Sequence, residues 1–347
     1  PAPTASRAQP HSARLGRPLP SLHARAMPVV PDRDGWRGHS NLGAGVGRSE
    51  SNMRDGIGSA DLGSDKISSL DESPGSEDFA LPIVQFELGY TFAETRTQLY
   101  AGNQIADYLS FDLETTLETH FGVRQEITDI GTVDFSLAAS TLPTDVWKDP
   151  YLVNTKRGDT ERTSSGLHIA WDNIFNTPLE FEWSSMEIEI DDEDSGAGLG
   201  LSSSDQRLLR RTGNVRRIFL HYDWKINAHH RLVPAIGYLD FDLDGDAMAE
   251  DGAALEAKYL YQPPGRWRFV TSVFYHDLEA DTRNPIYAKQ RDLETLGGAF
   301  TVFYSKPFGL ERWTANASAS YHDSDSSIDF YDATFGLVSV GMFYRFN

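Results

Sequence analysis

The stretch "FDLETTLETHFGVR" (residues 111–124) places its apolar and charged side chains on alternate positions. The apolar set is Phe111, Leu113, Leu117, Phe121 and Val123, and the charged set is Asp112, Glu114, Glu118, His120 and Arg124. An α-helix, which repeats about every 3.6 residues, would mix the two sets, whereas a β-strand puts alternate side chains on opposite faces. The stretch therefore predicts a strand with one apolar face and one charged face.

The same alternation recurs along most of the chain. It is clear at 82–92, 217–226, 267–276, 312–322 and 333–346, and weaker at 36–50, 97–104, 131–141, 164–175, 178–190, 231–243, 253–262 and 291–305. With the first stretch these segments make about 14 strands, and single-chain outer-membrane barrels have an even number. The pattern predicts an all-β fold, with a soluble β-protein as the alternative to a barrel.

The connections between these strands alternate in length. Short ones lie at 93–96, 176–178, 227–230, 262–266 and 306–309, and longer acidic ones lie at 52–82, 142–163, 191–213, 244–252, 277–290 and 323–332, with one short exception at 105–108. Short periplasmic turns and long extracellular loops are typical of a transmembrane antiparallel up-and-down barrel. With an even strand number, both ends of the barrel segment lie on the periplasmic side.

Aromatic residues collect at the predicted periplasmic ends of these strands. The predicted girdle consists of Trp36, Tyr90, Trp171, Trp224, Trp267, Trp313, Tyr344 and Phe346. Amphipathic rings prefer the membrane interface, where the ring is buried and its polar atom stays hydrated. A soluble sandwich gives no reason for this placement, so the aromatics favour the membrane barrel.

Composition excludes several classes of function. The 347 residues carry a formal net charge of −20, which makes nucleic acid an unsuitable partner because phosphate binding needs a basic surface. The absence of cysteine excludes thiolate metal sites and cysteine nucleophiles. Residues 1–34 contain arginines and prolines without an apolar segment, and we expect a disordered periplasmic leader there. The barrel is expected over residues 35–347.

Residues 36–347 resemble bacterial outer-membrane β-barrels of the porin kind. The final "GMFYRFN" is similar to the terminal aromatic signal that such proteins present to the barrel-assembly machinery. The segments "KISSLDESPGSEDF" (66–79) and "DVWKDPY" (145–151) are similar to a barrel family of unknown function. The resemblance implies an outer-membrane location, with lipid and lipopolysaccharide as surroundings and the assembly machinery as a partner.

The polar strand faces predict a charged lumen. The candidate pore-lining residues are Glu87, Asp112, Glu114, Glu118, His120, Arg217, His221, Asp223 and Arg312. A barrel of about 14 strands lies between small filled barrels and wide aqueous ones, so a narrow water-filled channel is expected. We predict passive or weakly selective diffusion of small polar or cationic solutes. The alternative is a closed lumen with a structural, adhesive or receptor role.

The run "EIEIDDEDSG" (187–196) concentrates carboxylates at a strand end and the following loop. Its acidic members are Glu187, Glu189, Asp191, Asp192, Glu193 and Asp194. Oxygen ligands at this density are a candidate calcium site, although the EF-hand order is absent. The alternative is a solvated loop, screened or bridged by divalent ions to lipopolysaccharide. No other cofactor is expected.

A surface hydrolase is the third class of function. His276 and His322 each precede an aspartate, at 277 and 323, near the outer ends of strands. Adjacent residues of a strand point to opposite faces, so neither pair is placed as a catalytic dyad. No serine lies in a nucleophile motif. We therefore predict that the chain is not an enzyme.

Overall fold

The computed structural model describes residues 30–57, 60–105 and 117–346 and shows a closed antiparallel β-barrel of 14 strands. The strands are β1 (Gly35–Ser51), β2 (Arg54–Ile57), β3 (Ala60–Asp61), β4 (Ser76–Phe92), β5 (Thr97–Ile105), β6 (Leu117–Ile127), β7 (Gly131–Ser140), β8 (Thr144–Trp147), β9 (Asp159–Asp172), β10 (Leu179–Ile190), β11 (Gly213–Tyr222), β12 (Trp224–Lys225), β13 (His230–Leu243), β14 (Glu250–Tyr261), β15 (Trp267–Asn284), β16 (Lys289–Ser305), β17 (Trp313–Ser326) and β18 (Ala333–Phe346). The predicted fold class is confirmed.

Helical structure is minor. The described parts of the chain contain one short α-helix, α1 (Ser203–Arg207), and single 3₁₀ turns at Ile174–Asn176, Ala197–Leu199, Pro307–Gly309 and Asp329–Tyr331. Among the described residues, no helix has the length and apolar character needed to cross a membrane.

The barrel closes where the first strand meets the last. β1 pairs with β18 from Gly38 opposite Phe346 to Ser51 opposite Ala333, and β1 pairs with β4 on its other side. β12 continues β11 along β13, while β2, β3 and β8 are additions outside the 14-strand ring. A hydrocarbon layer offers no partner to a free strand edge, so closure removes the main obstacle to crossing it.

The outer mouth carries a small sheet built from the long connections. β8 pairs with the outer end of β9, from Thr144 opposite Arg162 to Trp147 opposite Asp159. β2 pairs with β8, and β3 pairs with β2. These strands tie the connection after β1 to the connection after β7.

The barrel wall is apolar outside and polar inside. On β18, the outward Val338 and Val340 are 58% and 60% exposed, whereas Ser339 between them is 4% exposed. Leu42 on β1 and Phe121 on β6 are likewise exposed on the outer face. An apolar band on a closed barrel is suited to lipid, as the predicted outer-membrane location requires.

The aromatic residues predicted to form a girdle lie at the short-turn ends of the strands. Trp36 meets Tyr90 edge to face at 5.3 Å between ring centroids, and Trp313 packs on Tyr344 at 4.8 Å. The Trp171 indole nitrogen donates to the Ile130 carbonyl at 3.0 Å. Trp224, Trp267 and Phe346 complete the set, at the ends of β12, β15 and β18.

The periplasmic turns are tight, and one of them holds the segment that precedes β1. Arg96, in the turn between β4 and β5, has a left-handed φ of 54°. Its guanidinium donates to the carbonyls of Val30 and Pro31 at 3.0 Å and pairs with Asp32 at 2.8 Å. The rest of the expected leader, residues 1–29, lies outside the described residues.

Closure by β1 and β18 can be tested by cross-linking, because the chain has no cysteine of its own. Ala44 and Val340 are directly opposite in the register and both face outward, so A44C/V340C should oxidise to a disulfide. The measurement is loss of both free thiols without dimer formation. In A44C/S339C the two thiols lie on opposite faces and should stay reduced; an equal yield in both variants would contradict the register.

Candidate functional site

The periplasmic half of the lumen contains a dense polar network centred on Arg124. Its guanidinium pairs with Glu87 at 2.8 Å and with Asp134 at 3.0 Å, and it donates to the Gln98 amide oxygen at 3.1 Å. Tyr100 donates to Asp134 at 2.8 Å, with the Arg124 guanidinium 3.6 Å above its ring. These contacts neutralise an arginine that is almost fully buried.

A second network lies on the wall formed by β9, β10 and β11. Glu182 on β10 accepts from His168 at 3.0 Å and contacts His221 at 3.5 Å. Nearby, a short turn places Asp223 against the Arg231 guanidinium, with 2.6 Å between Oδ2 and Nη2. The inner wall is therefore charged on both sides, with the charges arranged in pairs.

The predicted pore-lining residues divide into three groups. Glu87, Glu118, His120, Arg217, His221 and Asp223 lie on the inner face of the barrel or at its lower edge. Arg312 was wrong as a wall residue: it is exposed in the periplasmic turn, because β17 begins only at Trp313. Asp112 and Glu114 lie outside the described residues.

The long connections pack together over the outer mouth as a loop cap, comprising the described parts of residues 52–75, 141–158, 191–212, 244–249, 285–288 and 327–332. Its centre is an apolar cluster in which Tyr151, Leu209 and Phe330 are at most 1% exposed. The Tyr151 and Tyr331 hydroxyls are 2.7 Å apart, and the Asn284 amide donates to Tyr331 at 2.7 Å. The cap is therefore a packed unit.

Arg157 joins two of the connections that form the cap, 52–75 and 141–158. Its guanidinium donates to the carbonyls of Asn52 at 2.8 Å, Pro150 at 3.1 Å and Ser64. It also lies 4.2 Å above the Trp147 ring, which is 1% exposed. Burial lowers the pKa of Arg157 to about 10, so it stays charged at neutral pH.

The first long connection folds inward. Ala60 and Leu62 are 4% and 1% exposed and pack on Phe79, Phe335 and Leu337 of the inner wall. An inward-folded connection between β1 and β4 is the feature expected of a closed lumen.

An aromatic strip runs around the inner wall below the cap, formed by Phe274, His322, Phe335 and Phe79. His322 stacks on Phe335 at 5.6 Å, and Phe335 stacks on Phe79 at 5.2 Å. Phe274 and His322 are 6.4 Å apart across Gly297. A Cβ at Gly297 would lie 2.3 Å from Phe274, so the ring lies flat only because this position is glycine.

A lumenal cavity of about 160 Å³ lies between the loop cap and the aromatic strip. Its wall includes apolar side chains from four barrel strands: Ile188, Leu239, Phe241, Leu278 and Leu293. It also includes Tyr331 and Met248 of the cap, and Phe274, His276 and His322 from the inner wall. The sequence predicted a charged lumen, and the structure adds apolar side chains to its outer half.

The charged residues around the lumenal cavity are mostly basic. Its wall carries Arg54, Arg162, Arg211 and Arg291, against the single carboxylate Glu250. Arg291 pairs with Glu250 at 2.6 Å and lies 4.6 Å from the Tyr331 ring. Arg211 pairs with Glu193 at 2.8 Å and donates to the Trp147 carbonyl at 2.6 Å. The wall of this chamber therefore carries more arginines than carboxylates, and two of the four arginines are paired with glutamates.

The acidic run at 187–194 does not converge on one point. Glu187 and Glu189 project outward from β10, while Asp191 is exposed beyond its end. Glu193 forms an ion pair with Arg211, and Asp192 and Asp194 lie 3.6 Å and 3.3 Å from the Lys148 ammonium. Within the described ranges, no three acidic or histidine side chains come together as a metal site.

The two histidines considered for catalysis both line the lumenal cavity. They are buried, whereas Asp277 and Asp323, the aspartates that follow them, face outward and are exposed. The His276 and His322 rings lie 5.0 Å and 6.4 Å from the Phe274 ring. This arrangement packs imidazoles among aromatic rings and does not form a His–Asp dyad.

The alternation did not predict this chamber, because several of the residues that form it are exceptions to the alternation. Phe79, Phe219, Phe274 and Phe335 are bulky apolar residues at inward positions, where a polar side chain is expected. Such violations of a period-two pattern were the available signal. The sequence did not show which cap residues contact these phenylalanines, since those contacts join segments that are far apart in the chain.

A family model described as "Protein of unknown function (DUF2860)" matches residues 35–345. No curated protein matches the sequence. Among solved structures, the outer membrane channel DcaP of Acinetobacter baumannii is 10% identical, with a TM-score of 0.43 and coverage of 89% of this chain and 97% of that chain.

Two further solved structures are similar at the same level. The CymD monoaromatic hydrocarbon channel is 11% identical, with a TM-score of 0.46 and coverage of 89% and 88% of the two chains. The anion-selective porin from Comamonas acidovorans is 9% identical, with a TM-score of 0.39 and coverage of 90% and 100%. The predicted resemblance to outer-membrane barrels and to a family of unknown function is confirmed.

The stability of the loop cap should depend on pH through Asp55 on β2. Burial, together with Asp159 and Asp145, raises its pKa from 3.8 to about 6. The folded cap therefore holds a proton that the unfolded segment releases, so the cap loses stability as pH rises from about 4 to about 6. Because Asp55 is only half-buried, solvent screening limits this to roughly 1 kcal/mol.

The measurement is amide hydrogen exchange in β2 and β8, corrected for the intrinsic rate at each pH. Protection in the unaltered chain should be higher at pH 5 than at pH 8. D55N should show similar protection at both values and more than the unaltered chain at pH 8. Equal pH dependence in the two proteins would contradict the assignment to Asp55.

Proposed function

We propose that this chain, which belongs to the DUF2860 family, is an outer-membrane channel for small solutes that opens and closes at its loop cap. The observation that carries the proposal is the lumenal cavity of about 160 Å³ between the cap and the inner wall. Protein interiors without a binding or transport role are packed with few voids larger than a water molecule. A chamber on the barrel axis is therefore a site that a solute occupies during passage.

The cap supplies the gate. The connections in the cap are held together mainly by side-chain contacts between separate segments. The barrel strands beneath them are joined by continuous ladders of backbone hydrogen bonds. Loops open at lower free-energy cost than a barrel wall, since opening them breaks at most the short ladders of β2, β3 and β8. Solutes would enter when the cap separates from the aromatic strip, and would leave through the charged periplasmic half.

The charge preference of the channel follows from two regions. The net charge of −20 and the acidic loops favour polar or cationic solutes at the outer mouth. The chamber below carries four arginines and one glutamate, which favours anions there. We therefore propose passage of small polar solutes without a strong overall preference for cations.

The surroundings of the barrel follow from its outer face. Arg216 pairs with Asp240 and Asp242 at 3.0 Å and 2.9 Å on the exposed outer surface near the extracellular ends of β11 and β13. We propose that lipopolysaccharide lies against this zone and that lipid tails cover the apolar band below. The barrel-assembly machinery is proposed to read the final strand, where Phe346 ends the outward stripe. No catalytic role is proposed.

The alternative is a permanently closed barrel with a receptor or structural role. The inward packing of Leu62 and the buried cap cluster are what that alternative requires. The two differ in whether the cap opens.

Loosening the cap should increase the time that the channel is open. R157M removes donors to three carbonyls and should raise the open probability in planar bilayers by at least about tenfold, since each lost hydrogen bond weakens the closed state by about 1 kcal/mol. R210M alters an exposed cap arginine and serves as the matched control. Absence of conductance steps in all three proteins would support the closed barrel, and reversal potentials would report the charge preference.

A further inference from the structure

We propose that the lumenal cavity is a binding site for a small amphipathic anion, a single flat apolar ring that carries a carboxylate. This deepens the proposed function by assigning the class of solute. Three features support this proposal: the aromatic strip that forms the floor of the cavity, the volume of the cavity, and the hydrogen-bond donors on its wall.

The floor is built for a flat ring. Phe274 and His322 flank Gly297, where a Cβ would lie 2.3 Å from the Phe274 ring and 2.6 Å from the Cβ of His322. Glycine therefore lets the Phe274 ring lie close to the wall and leaves room above it. Aromatic rings pack favourably in offset or edge-to-face arrangements at about 4.5–7 Å between centroids.

The volume sets the size of the occupant. The cavity of about 160 Å³ is close to engineered apolar cavities of about 150 Å³, which hold one benzene molecule. One ring with a single small substituent fits this space.

The wall supplies a place for a negative group. Arg291 is almost fully buried, and its Nε has no hydrogen-bond partner among the described residues, although Nη2 pairs with Glu250. The Thr144 hydroxyl, 3% exposed, is also buried without a partner in that part of the chain. Both residues line the cavity. Unsatisfied buried donors are costly, and a carboxylate is the acceptor that a guanidinium binds best.

Other occupants satisfy fewer of these features. A neutral hydrocarbon would leave the Arg291 Nε without an acceptor. An organic cation would meet four arginines and one carboxylate. A ring with a carboxylate uses the apolar floor and the basic wall together.

The test measures binding of benzoate to the folded barrel in detergent by equilibrium dialysis, beside benzylamine and benzyl alcohol. Benzoate should bind saturably and at least about tenfold more tightly than benzylamine. R291M/E250Q removes the buried ion pair as a unit, so neither charge is left alone. It should weaken benzoate about tenfold and benzyl alcohol less than about threefold.

A second variant keeps the test valid if R291M/E250Q does not fold. G297A pushes a methyl group against Phe274 and should weaken benzoate and benzyl alcohol alike, whereas R210M should change neither. Equal affinity for benzoate and benzylamine, or no saturable binding of benzoate, would overturn the proposal. Conductance without benzoate binding would contradict the proposed binding site and would still support the proposed channel. Benzoate binding without conductance would indicate a receptor.

Discussion

Closure of β1 against β18 is the constraint on which the rest of the structure depends. Inside a hydrocarbon layer a free strand edge would leave backbone groups without partners, and each would cost several kcal/mol. Once Gly38 is fixed opposite Phe346, the inward or outward direction of every side chain on both strands is fixed as well. The apolar band, the aromatic girdle and the polar lumen all follow from that register.

The closed ring also creates an interior that has to be filled. In the periplasmic half this is done by charged groups that satisfy one another, as Arg124 does with Glu87 and Asp134. In the outer half it is done by aromatic side chains and by a cap drawn from sequence segments as distant as residues 62 and 335. The lumenal cavity lies within the outer half, between the aromatic strip and the cap, so the candidate site is a space that these two elements leave unfilled.

Sequence reasoning was accurate wherever a side chain's position depends on its own strand. The outward placement of Val338 and Val340 and the inward placement of Ser339 follow from a period of two. The prediction that Arg312 lines the lumen was wrong, because Arg312 lies one residue before β17 begins. The inner face was predicted to be charged, because the alternation does not predict apolar residues such as Phe274 and Phe335 at inward positions. It also does not predict which side chains they contact.

The sequence by itself therefore determined the strands, their number, the direction of each face and the membrane setting, because these depend on spacing between neighbouring residues. Only the tertiary structure decided what fills the lumen. Tyr151 meets Tyr331 and Arg157 meets Asn52 through contacts between segments 180 and 105 residues apart. Such contacts depend on how several loops pack at once, and no local periodicity encodes that packing.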